Sequence, residues 1–367
     1  MLDLRDYILF LLSLKKPGGG ATRSHIIEKA TRDMKGPVDS VIDEKLKGLI
    51  DDGLVEAKKD ILLATGMGRS VFAEFFRNNE VDLRSVNPSW CLVYVAKNYY
   101  PRVAEPIVDL CRGRHVGFFC VFTGRHFFRR KFRGRYIRIE DGSELIRFVQ
   151  MHYVDVIPCV HRVGLDRPDW MVFDLDPGSQ VPFEKTREVA SITYDYLCDH
   201  GVSPALEFSG ARGFQIWVKT EKTDIPEEYD PPSSGGGRSR ERDHFSLYSD
   251  VISYVEHSVR EETGGVTTGT VGAKELPKDR VLLDPSSMKR MGLVRAPYSI
   301  HHRSGLVSIP VSRDSLEDFE LGMAKPSAVV ERFEDEGDEF QLRESDARDL
   351  LHSAVEWTKE YKTDSDR

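Results

Sequence analysis

The chain has 367 residues, 40% of them hydrophobic, which is enough for two or three domains with substantial cores. No run of 18 apolar residues occurs and the N-terminal residues lack a basic stretch, so we expect no membrane span and no secretory signal. The formal net charge of −8 disfavours a nucleic-acid partner unless the basic residues are segregated.

Residues 1–80 form a unit of their own in the sequence pattern. Apolar residues recur at helical spacing over 4–14, 22–34 and 37–52, and two strand-like runs follow at 53–57 and 61–65. Three helices and a two-stranded ribbon are typical of a winged helix. The third helix is acidic, so this unit is as well suited to protein contact or dimerisation as to DNA binding.

The five cysteines are odd in number and scattered, without any Cys-x-x-Cys pair, which indicates reduced thiols and a cytoplasmic protein. Four residues form a Cys/His series whose spacing fits no familiar zinc knuckle. They are Cys111, His115, Cys120 and His126. The run 118–122 around Cys120 is strand-like and apolar, so the pattern disfavours zinc.

A basic stripe lies between Arg112 and Arg138, with eight arginines, one lysine, no acidic residue and several interleaved aromatic residues. Such a stripe can follow a phosphate backbone while the aromatic rings stack on bases. The plainer interpretation is a solvated basic strand face. As DNA-binding residues the stripe predicts Arg125, Phe127, Phe128, Arg129, Arg130, Lys131 and Arg133.

Two aspartates separated by one apolar residue, Asp174 and Asp176, occur in the strand-like run 170–178. In a strand they project to one face while Phe173 and Leu175 point to the other. Paired carboxylates repel each other unless a cation or a proton neutralises them, and oxygen ligands suit Mg²⁺ or Mn²⁺. Taken alone, the motif also fits a surface strand that ends in an Asp-Pro-Gly turn.

The segment 206–218 has the pattern of a strand, a tight glycine turn and a second strand. Gly210 and Gly213 allow the backbone to approach a ligand closely, and Ser209 and Arg212 offer a hydroxyl and a guanidinium to an anion. We expect a cradle for a triphosphate, with a plain hairpin as the alternative.

A third block begins with Asp284 at the end of an apolar run and continues through Arg295, Ser299 and His301. Three strand-end carboxylates with Ser, Arg and His donors match the needs of nucleotidyl transfer, in which two metal ions are held by acids and cations bind the phosphates. The order of the three blocks is the strongest signal.

Together these blocks resemble the three motifs of the archaeo-eukaryotic primase superfamily, over roughly residues 95–315. The chain looks most like the polymerase domain of bacterial ligase D and its stand-alone archaeal relatives. In the third block only, the runs 298–301 and 304–307 are similar to the third motif of the small subunit of replicative primases.

The resemblance implies a polymerase that adds NTP or dNTP to a primer on DNA with gaps or 5′-phosphate ends. It implies two Mg²⁺ or Mn²⁺ ions on the catalytic residues Asp174, Asp176 and Asp284. It implies nucleotide contacts from Ser209, Gly210, Arg212, Gly213, Gln215, Arg295, Ser299 and His301. Expected partners are a separate ligase and a Ku-like end-binding protein, or else a primase large subunit.

One position departs from the family. The second motif ends in histidine in relatives, where it is thought to contact the phosphates of the nucleotide, and this chain has Gln215. Glutamine can donate a hydrogen bond to a phosphate oxygen but carries no charge.

We therefore expect an α+β chain with three parts. They are a winged-helix-like domain at 1–80, a primase-polymerase domain at 88–325 with a flexible insertion at 221–243, and an acidic helical tail at 326–367. Gap filling or end joining is the first functional hypothesis. The alternatives are the small subunit of a replicative primase and a catalytically impaired DNA-binding scaffold.

Overall fold

The computed structural model describes residues 4–13, 15, 18–33, 37, 39–71, 88–122, 125–226, 229, 243–269 and 277–361. The chain divides into two units, Met1–Asn98 with Val121–His126 and Tyr99–Cys120 with Phe127–Arg367. The predicted boundary between residues 80 and 88 and most of the predicted insertion, at 227–228 and 230–242, lie outside the described residues.

Up to position 71, the described part of the first unit combines helices with one small sheet. Its elements are α1 (Leu4–Ser13), β1 (Ala21–Thr22), α2 (Arg23–Asp33), α3 (Asp39–Asp51), β2 (Val55–Lys58) and β3 (Ile61–Ala64). The strands pair antiparallel in the order β1-β3-β2. α1 is buried from Tyr7 to Ser13, and α3 contributes Ile42, Leu46 and Leu49 to the same core.

The three predicted helices and two predicted strands are thus present, and β1 adds a third strand beside β3. On α3, the acidic residue Asp43 receives two hydrogen bonds of 2.6 Å from Arg23 of α2. The assignment of this unit as a winged helix stays a prediction.

The main sheet of the second unit has the strand order β12-β13-β9-β11-β10-β14. Its strands are β9 (Trp170–Pro177), β10 (Ala205–Phe208), β11 (Phe214–Lys219), β12 (Thr267–Thr268), β13 (Val281–Leu283) and β14 (Ile309–Pro310). β9 pairs antiparallel with β11 on one side and with β13 on the other. Because Phe173 and Leu175 are fully buried on one face, Asp174 and Asp176 project from the other, as predicted.

Two helices pack on this sheet. α6 (Phe183–Asp199) contacts β9 and β11, and α7 (His244–Val259) contacts β12 and β13. The ring of Phe183 stacks on Phe214 of β11 with centroids 5.7 Å apart. The helices therefore cover apolar surface of the sheet.

A second sheet has the order β5-β4-β8 and is followed by a short two-stranded ribbon. The elements are α4 (Pro88–Cys111), β4 (Val116–Phe122), β5 (Arg125–Arg129), β6 (Lys131–Phe132), β7 (Arg135–Tyr136), α5 (Gly142–Gln150) and β8 (Tyr153–Pro158). The segment 292–296 runs beside β8, where the N–H of Val294 bonds to the carbonyl of Pro158 at 3.1 Å. This pairing brings the third sequence block next to β8.

The segment expected as a tail forms α8 (Pro326–Glu336) and α9 (Arg348–Tyr361). α9 packs on α7, and the ring of Phe340 lies edge-on to Trp217 of β11 at 5.7 Å. The backbone of Ser345 also bonds to Lys219 at 2.9 Å. This segment therefore packs within the second unit.

Helices and mixed sheets together confirm the α+β class. Across the described residues, no helix combines the length and the hydropathy that a membrane span requires.

Candidate active site

Polar side chains from neighbouring strands line up on one face of the main sheet. The antiparallel register puts Gln215 of β11 opposite Asp174 of β9, and Glu207 of β10 opposite Gln215. Cross-strand partners share a face, so the three side chains lie in one row. The row is held by a hydrogen bond of 3.1 Å from Nε2 of Gln215 to Oδ1 of Asp174.

Asp284 extends this row at the end of β13. Leu283 pairs with Leu175, and the N–H of the next residue, Asp284, bonds to the carbonyl of Asp174 at 3.2 Å. We call Asp284, Asp174, Gln215 and Glu207 the carboxylate row. Asp176 lies one pleat further along β9 on the same face, so all three predicted acids occupy one face of the sheet.

The acids of β9 repel each other and are partly desolvated. Burial and, next, the charge of Asp176 raise the pKa of Asp174 to about 6. Burial likewise raises the pKa of Asp176, against the opposing charge of Arg212. A divalent cation at this place would relieve both the repulsion and the desolvation.

The carboxylate of the third acid, Asp284, is hydrogen-bonded within the turn that follows it. The carboxylate of Asp284 accepts hydrogen bonds of 2.8 Å and 2.7 Å from the backbone N–H and the hydroxyl of Ser286, because Asp284 caps the 3₁₀ turn Pro285–Ser287. Within the described residues, no group of three or more His, Cys, Asp or Glu side chains is arranged to hold a metal ion.

The donor chemistry nevertheless fits Mg²⁺ or Mn²⁺. Mg²⁺ is usually held by one or two carboxylates together with substrate phosphates, and seldom by a cage made only of protein groups. Asp174 and Asp176 supply such a pair. Gln215 adds a second sign of an absent group, because its Oε1 is buried without a hydrogen-bond partner among the described residues.

Gln215 therefore has a different immediate partner from the one expected. Its side chain is 3% exposed, and its amide donates to a proposed metal ligand, Asp174. This bond fixes the carboxylate in the manner of groups that orient metal ligands. The predicted contact of Gln215 with the nucleotide phosphates stays a prediction.

Glu207 is a site residue that the sequence pattern did not predict. It is fully buried, its Oε1 accepts from the indole N–H of Trp217 at 2.8 Å, and its Oε2 lies 2.8 Å from the hydroxyl of Ser308. Burial raises the pKa of Glu207 to about 8. Glu207, at one end of the row, is therefore neutral near pH 7. The signal in the sequence that could have identified it is a single acidic residue in an otherwise apolar strand.

The glycine turn between β10 and β11 forms as predicted. Gly210 has φ +84°, and a Cβ there would lie 3.0 Å from that of His301, while a Cβ on Gly213 would lie 2.1 Å from the carbonyl oxygen of Leu175. Only glycine permits both approaches. The exposed Arg212 bonds through Nη2 to the carbonyl of Pro177 at 2.8 Å, so the guanidinium stands at the end of β9.

Arg295 is held from two sides. Its Nε and Nη2 donate to the two oxygens of Asp155 at 2.9 Å and 3.1 Å, and its Nη1 donates to the carbonyl of Ser209 at 2.9 Å. The charge of Arg295 lowers the pKa of Asp174 and Asp176, although burial outweighs it at both. The guanidinium therefore lies close to the acids of β9.

Ser299 is fully buried. Its Oγ accepts from the N–H of Val156 at 2.7 Å and lies 3.4 Å from Asp155, so the hydroxyl fastens the third block to β8. A direct contact of Ser299 with a nucleotide stays a prediction.

His301 is a neutral donor. Its Nδ1 accepts from the backbone N–H groups of Ser304 at 3.1 Å and Arg303 at 3.2 Å, so the ring proton resides on Nε2. Burial, followed by the charge of Arg295, lowers the pKa of His301 to about 3. At neutral pH this residue can donate a hydrogen bond to a phosphate oxygen but adds no charge.

The basic stripe separates into two parts. Arg114 is fully buried, forms a double ion pair with Asp169 and stacks 3.2 Å from the centroid of Trp170, while Arg112 pairs with Asp109. These two cations therefore have acidic partners from outside the stripe, which contains no acid of its own. A buried arginine needs a carboxylate in its final environment, and the sequence places that carboxylate 55 residues away.

We call residues 127–136 the basic ribbon. Its cations Arg129, Lys131, Arg133 and Arg135 are exposed, and none forms an ion pair with an acid among the described residues. Phe127 and Phe128 are each 40% exposed and Tyr136 is 44% exposed. The side chain of Arg125 lies outside the described residues.

The comparisons with known proteins agree with this architecture. Residues 96–231 match the model of the ligase D primase-polymerase domain. A multifunctional non-homologous end joining protein LigD of Pseudomonas aeruginosa is 25% identical over 189 residues, which cover 50% of this chain and 20% of that protein. One of Mycobacterium bovis is 26% identical over 178 residues, covering 48% and 21%.

A solved structure of the polymerase domain from Mycobacterium tuberculosis ligase D in complex with DNA has a similar fold, with a TM-score of 0.52 and 22% identity. The match covers 66% of this chain and 89% of that one. The predicted resemblance to the ligase D polymerase domain is thus confirmed. The match accounts for only about a fifth of the length of the curated relatives.

Proposed function

We propose that this chain is a metal-dependent nucleotidyltransferase of the primase-polymerase type. It would add nucleotides to a primer 3′-OH on a DNA template, in end joining or gap-filling repair. One observation carries this proposal: the three predicted acids lie on one face of the main sheet, beside Arg295 and the glycine turn. The relatives named for end joining and the DNA-bound neighbour support the same assignment.

Asp174 and Asp176 would hold Mg²⁺ or Mn²⁺ together with the phosphates of the nucleotide, with Asp284 as the third ligand. Bound there, the ions would lower the pKa of the primer hydroxyl and stabilise the charge that develops on the phosphates. Gln215 keeps the Asp174 carboxylate oriented through its bond of 3.1 Å.

The triphosphate would lie against the groups on the open side of the acids. Arg212 and Arg295 supply positive charge, and the Nε2–H of His301 supplies a neutral hydrogen bond. Ser209 and the glycines at 210 and 213 let the backbone approach the phosphates closely.

DNA would bind along the basic ribbon. Its exposed cations offer positive charge to the phosphates of a strand, and the exposed rings of Phe127, Phe128 and Tyr136 offer surfaces for base stacking. Arg129, Arg130 and Lys131 are the proposed contacts for a 5′-phosphate at the template end.

The decisive experiment is primer extension on a gapped duplex with a 5′-phosphate, using Mn²⁺ or Mg²⁺ and either NTP or dNTP. We expect extension by the wild type and none by Asp174→Asn or Asp176→Asn. Asp199→Asn, an exposed aspartate at the end of α6, is the matched control and should retain full activity.

Tight DNA binding without metal-dependent extension would instead favour a non-catalytic DNA-end scaffold. A second candidate, the small subunit of a replicative primase, has one observation in its favour: His301 is locked by the turn at Ser304, in the block that resembles that subunit. Synthesis on single-stranded template without any primer would move this candidate to first place.

A further inference from the structure

Asp155 is a buried charged residue outside the carboxylate row. It lies in the middle of β8, its side chain is 0% exposed, and it is the only charged residue of that strand. From described residues it receives two hydrogen bonds from Arg295, two from His302 and one from Ser299. A buried carboxylate with so many donors is ionised, because each bond favours the charged form.

Arg295 depends on Asp155 for its position. The bidentate pair uses the Nε and Nη2 edge of the guanidinium, and the carbonyl of Ser209 takes one N–H of Nη1. Of the five N–H groups, two therefore have no acceptor among the described residues. Through Ser209 the guanidinium is tied to the glycine turn, and its charge acts on Asp174 and Asp176 of β9.

Without Asp155, Arg295 would need another anion, because a buried unpaired guanidinium is strongly unfavourable. The carboxyl groups that share its electrostatic environment are Asp174, Glu207 and Asp176. Both oxygens of Glu207 are already hydrogen-bonded, to Trp217 and Ser308. Asp176 is exposed and already lies under the charge of Arg212, whereas Asp174 has only one protein partner among the described side chains, Gln215. Asp174 is therefore the carboxylate that remains for Arg295.

We propose that Asp155 is a positioning residue that withholds the Arg295 guanidinium from Asp174, so that Asp174 stays available to a divalent cation and Arg295 stays available to the nucleotide phosphate. An ion pair between Arg295 and Asp174 would place a fixed positive charge where the metal ion must bind, and the two cations would compete. The inference rests on the proposed function, since it assigns Asp174 to the metal.

The test is Mn²⁺ binding by the full chain, measured by titration calorimetry and by electron paramagnetic resonance, with and without a non-hydrolysable nucleoside triphosphate. We expect Asp155→Asn to weaken Mn²⁺ binding by roughly 10- to 100-fold, the range for residues that orient metal ligands. The double variant Asp155→Asn, Arg295→Gln should recover Mn²⁺ affinity to the level of Arg295→Gln alone, because the competing guanidinium is gone.

A merely structural role for Asp155 would give a different pattern. The double variant would then bind Mn²⁺ as weakly as Asp155→Asn, and that result overturns the inference. The inference is also overturned if Asp155→Asn binds Mn²⁺ with an affinity within twofold of the wild type. If Asp155→Asn does not fold, Arg295→Lys replaces it. A single ammonium cannot span both oxygens of Asp155, so Mn²⁺ affinity should fall, and unchanged affinity in the folded Arg295→Lys protein overturns the inference.

Because binding is measured directly, this result is separable from the proposed activity. Mn²⁺ affinity that is lost in Asp155→Asn and recovered in the double variant, in a protein that extends no primer, would support the positioning role and contradict the polymerase assignment. Primer extension by the wild type, with unchanged Mn²⁺ affinity in Asp155→Asn, would support the polymerase assignment and contradict the positioning role.

Discussion

In the carboxylate row and around Arg295, the side chains are hydrogen-bonded to one another and to neighbouring groups, whereas in the basic ribbon exposed cations stand without acidic partners among the described residues. The row is preorganised: Gln215 bonds to Asp174, and Glu207 is fixed by Trp217 and Ser308. In the ribbon, cations lie against aromatic rings, as Lys131 does over Tyr136 at 4.7 Å. The row therefore holds side chains in a fixed geometry, and the ribbon presents positive charge to a partner.

The largest expected effect comes from removing a charge in the row. Asp174→Asn should lower the rate of primer extension at least about 10³-fold, since it removes a proposed metal ligand. It should also stabilise the protein by about 1–2 kcal/mol at pH 7, because the raised pKa of Asp174 makes its ionisation costly to folding. Urea unfolding and single-turnover extension measure the two effects.

The direction of the stability change at Asp174 follows from the linkage between proton binding and folding. A carboxyl whose pKa rises to about 6 on folding stabilises the protein fully below its unfolded pKa near 4, and this stabilisation is lost as the pH rises through 6. Asparagine has no such dependence. A loss of stability at pH 7 in Asp174→Asn would contradict the interpretation of the row as strained.

Glu207→Gln should change the pH dependence of stability. Because burial raises the pKa of Glu207 to about 8, the wild type should lose on the order of a few kcal/mol of stability between pH 5 and pH 8 that the Glu207→Gln variant keeps. The amide can replace the neutral carboxyl toward Trp217. Urea unfolding of both proteins across this pH range provides the measurement, and parallel curves would show that Glu207 is ionised when folded.

Gln215→Ala tests the orientation of Asp174. Loss of the 3.1 Å hydrogen bond should lower kcat/KM roughly 10- to 100-fold and raise the Mn²⁺ concentration needed for half-maximal rate. The exposed residue Gln341 provides the matched control variant Gln341→Ala. An altered KM for nucleotide with an unchanged metal requirement would favour the phosphate contact expected from the sequence.

The smallest effects should come from the ribbon. Arg129→Ala with Lys131→Ala should weaken DNA binding about tenfold near physiological salt and reduce the slope of log affinity against log salt by about 2, because two phosphate contacts are lost. Unfolding free energy should change by less than about 0.5 kcal/mol per substitution. Fluorescence anisotropy at several salt concentrations measures the slope, with Arg348→Ala, which removes a cation already paired with Asp346, as control.

Local patterns were sufficient for several features. Alternation of Phe173, Asp174, Leu175 and Asp176 fixed which face of β9 carries the acids, and two glycines marked the turn between β10 and β11. The alternation of apolar and polar residues and the choice of turn residues involve only neighbours in the chain. Both can therefore be recognised without knowledge of packing.

Other features depended on contacts between distant residues. Asp155 meets Arg295 across 140 positions, Gln215 meets Asp174 across 41, and the pairing of Arg114 with Asp169 removed one cation from the basic stripe. A sequence pattern gives the direction of a side chain but not the partner it meets there.

The α+β class, the order of the three blocks and the family they resemble could all be read from the residues in order. Which charges are neutralised depends on the folded chain. Burial made Glu207 and His301 neutral, and distant partners turned Arg295 and Gln215 toward Asp155 and Asp174. The physical reason is that ionisation and hydrogen bonding depend on desolvation and on groups brought together by folding, which no local pattern records.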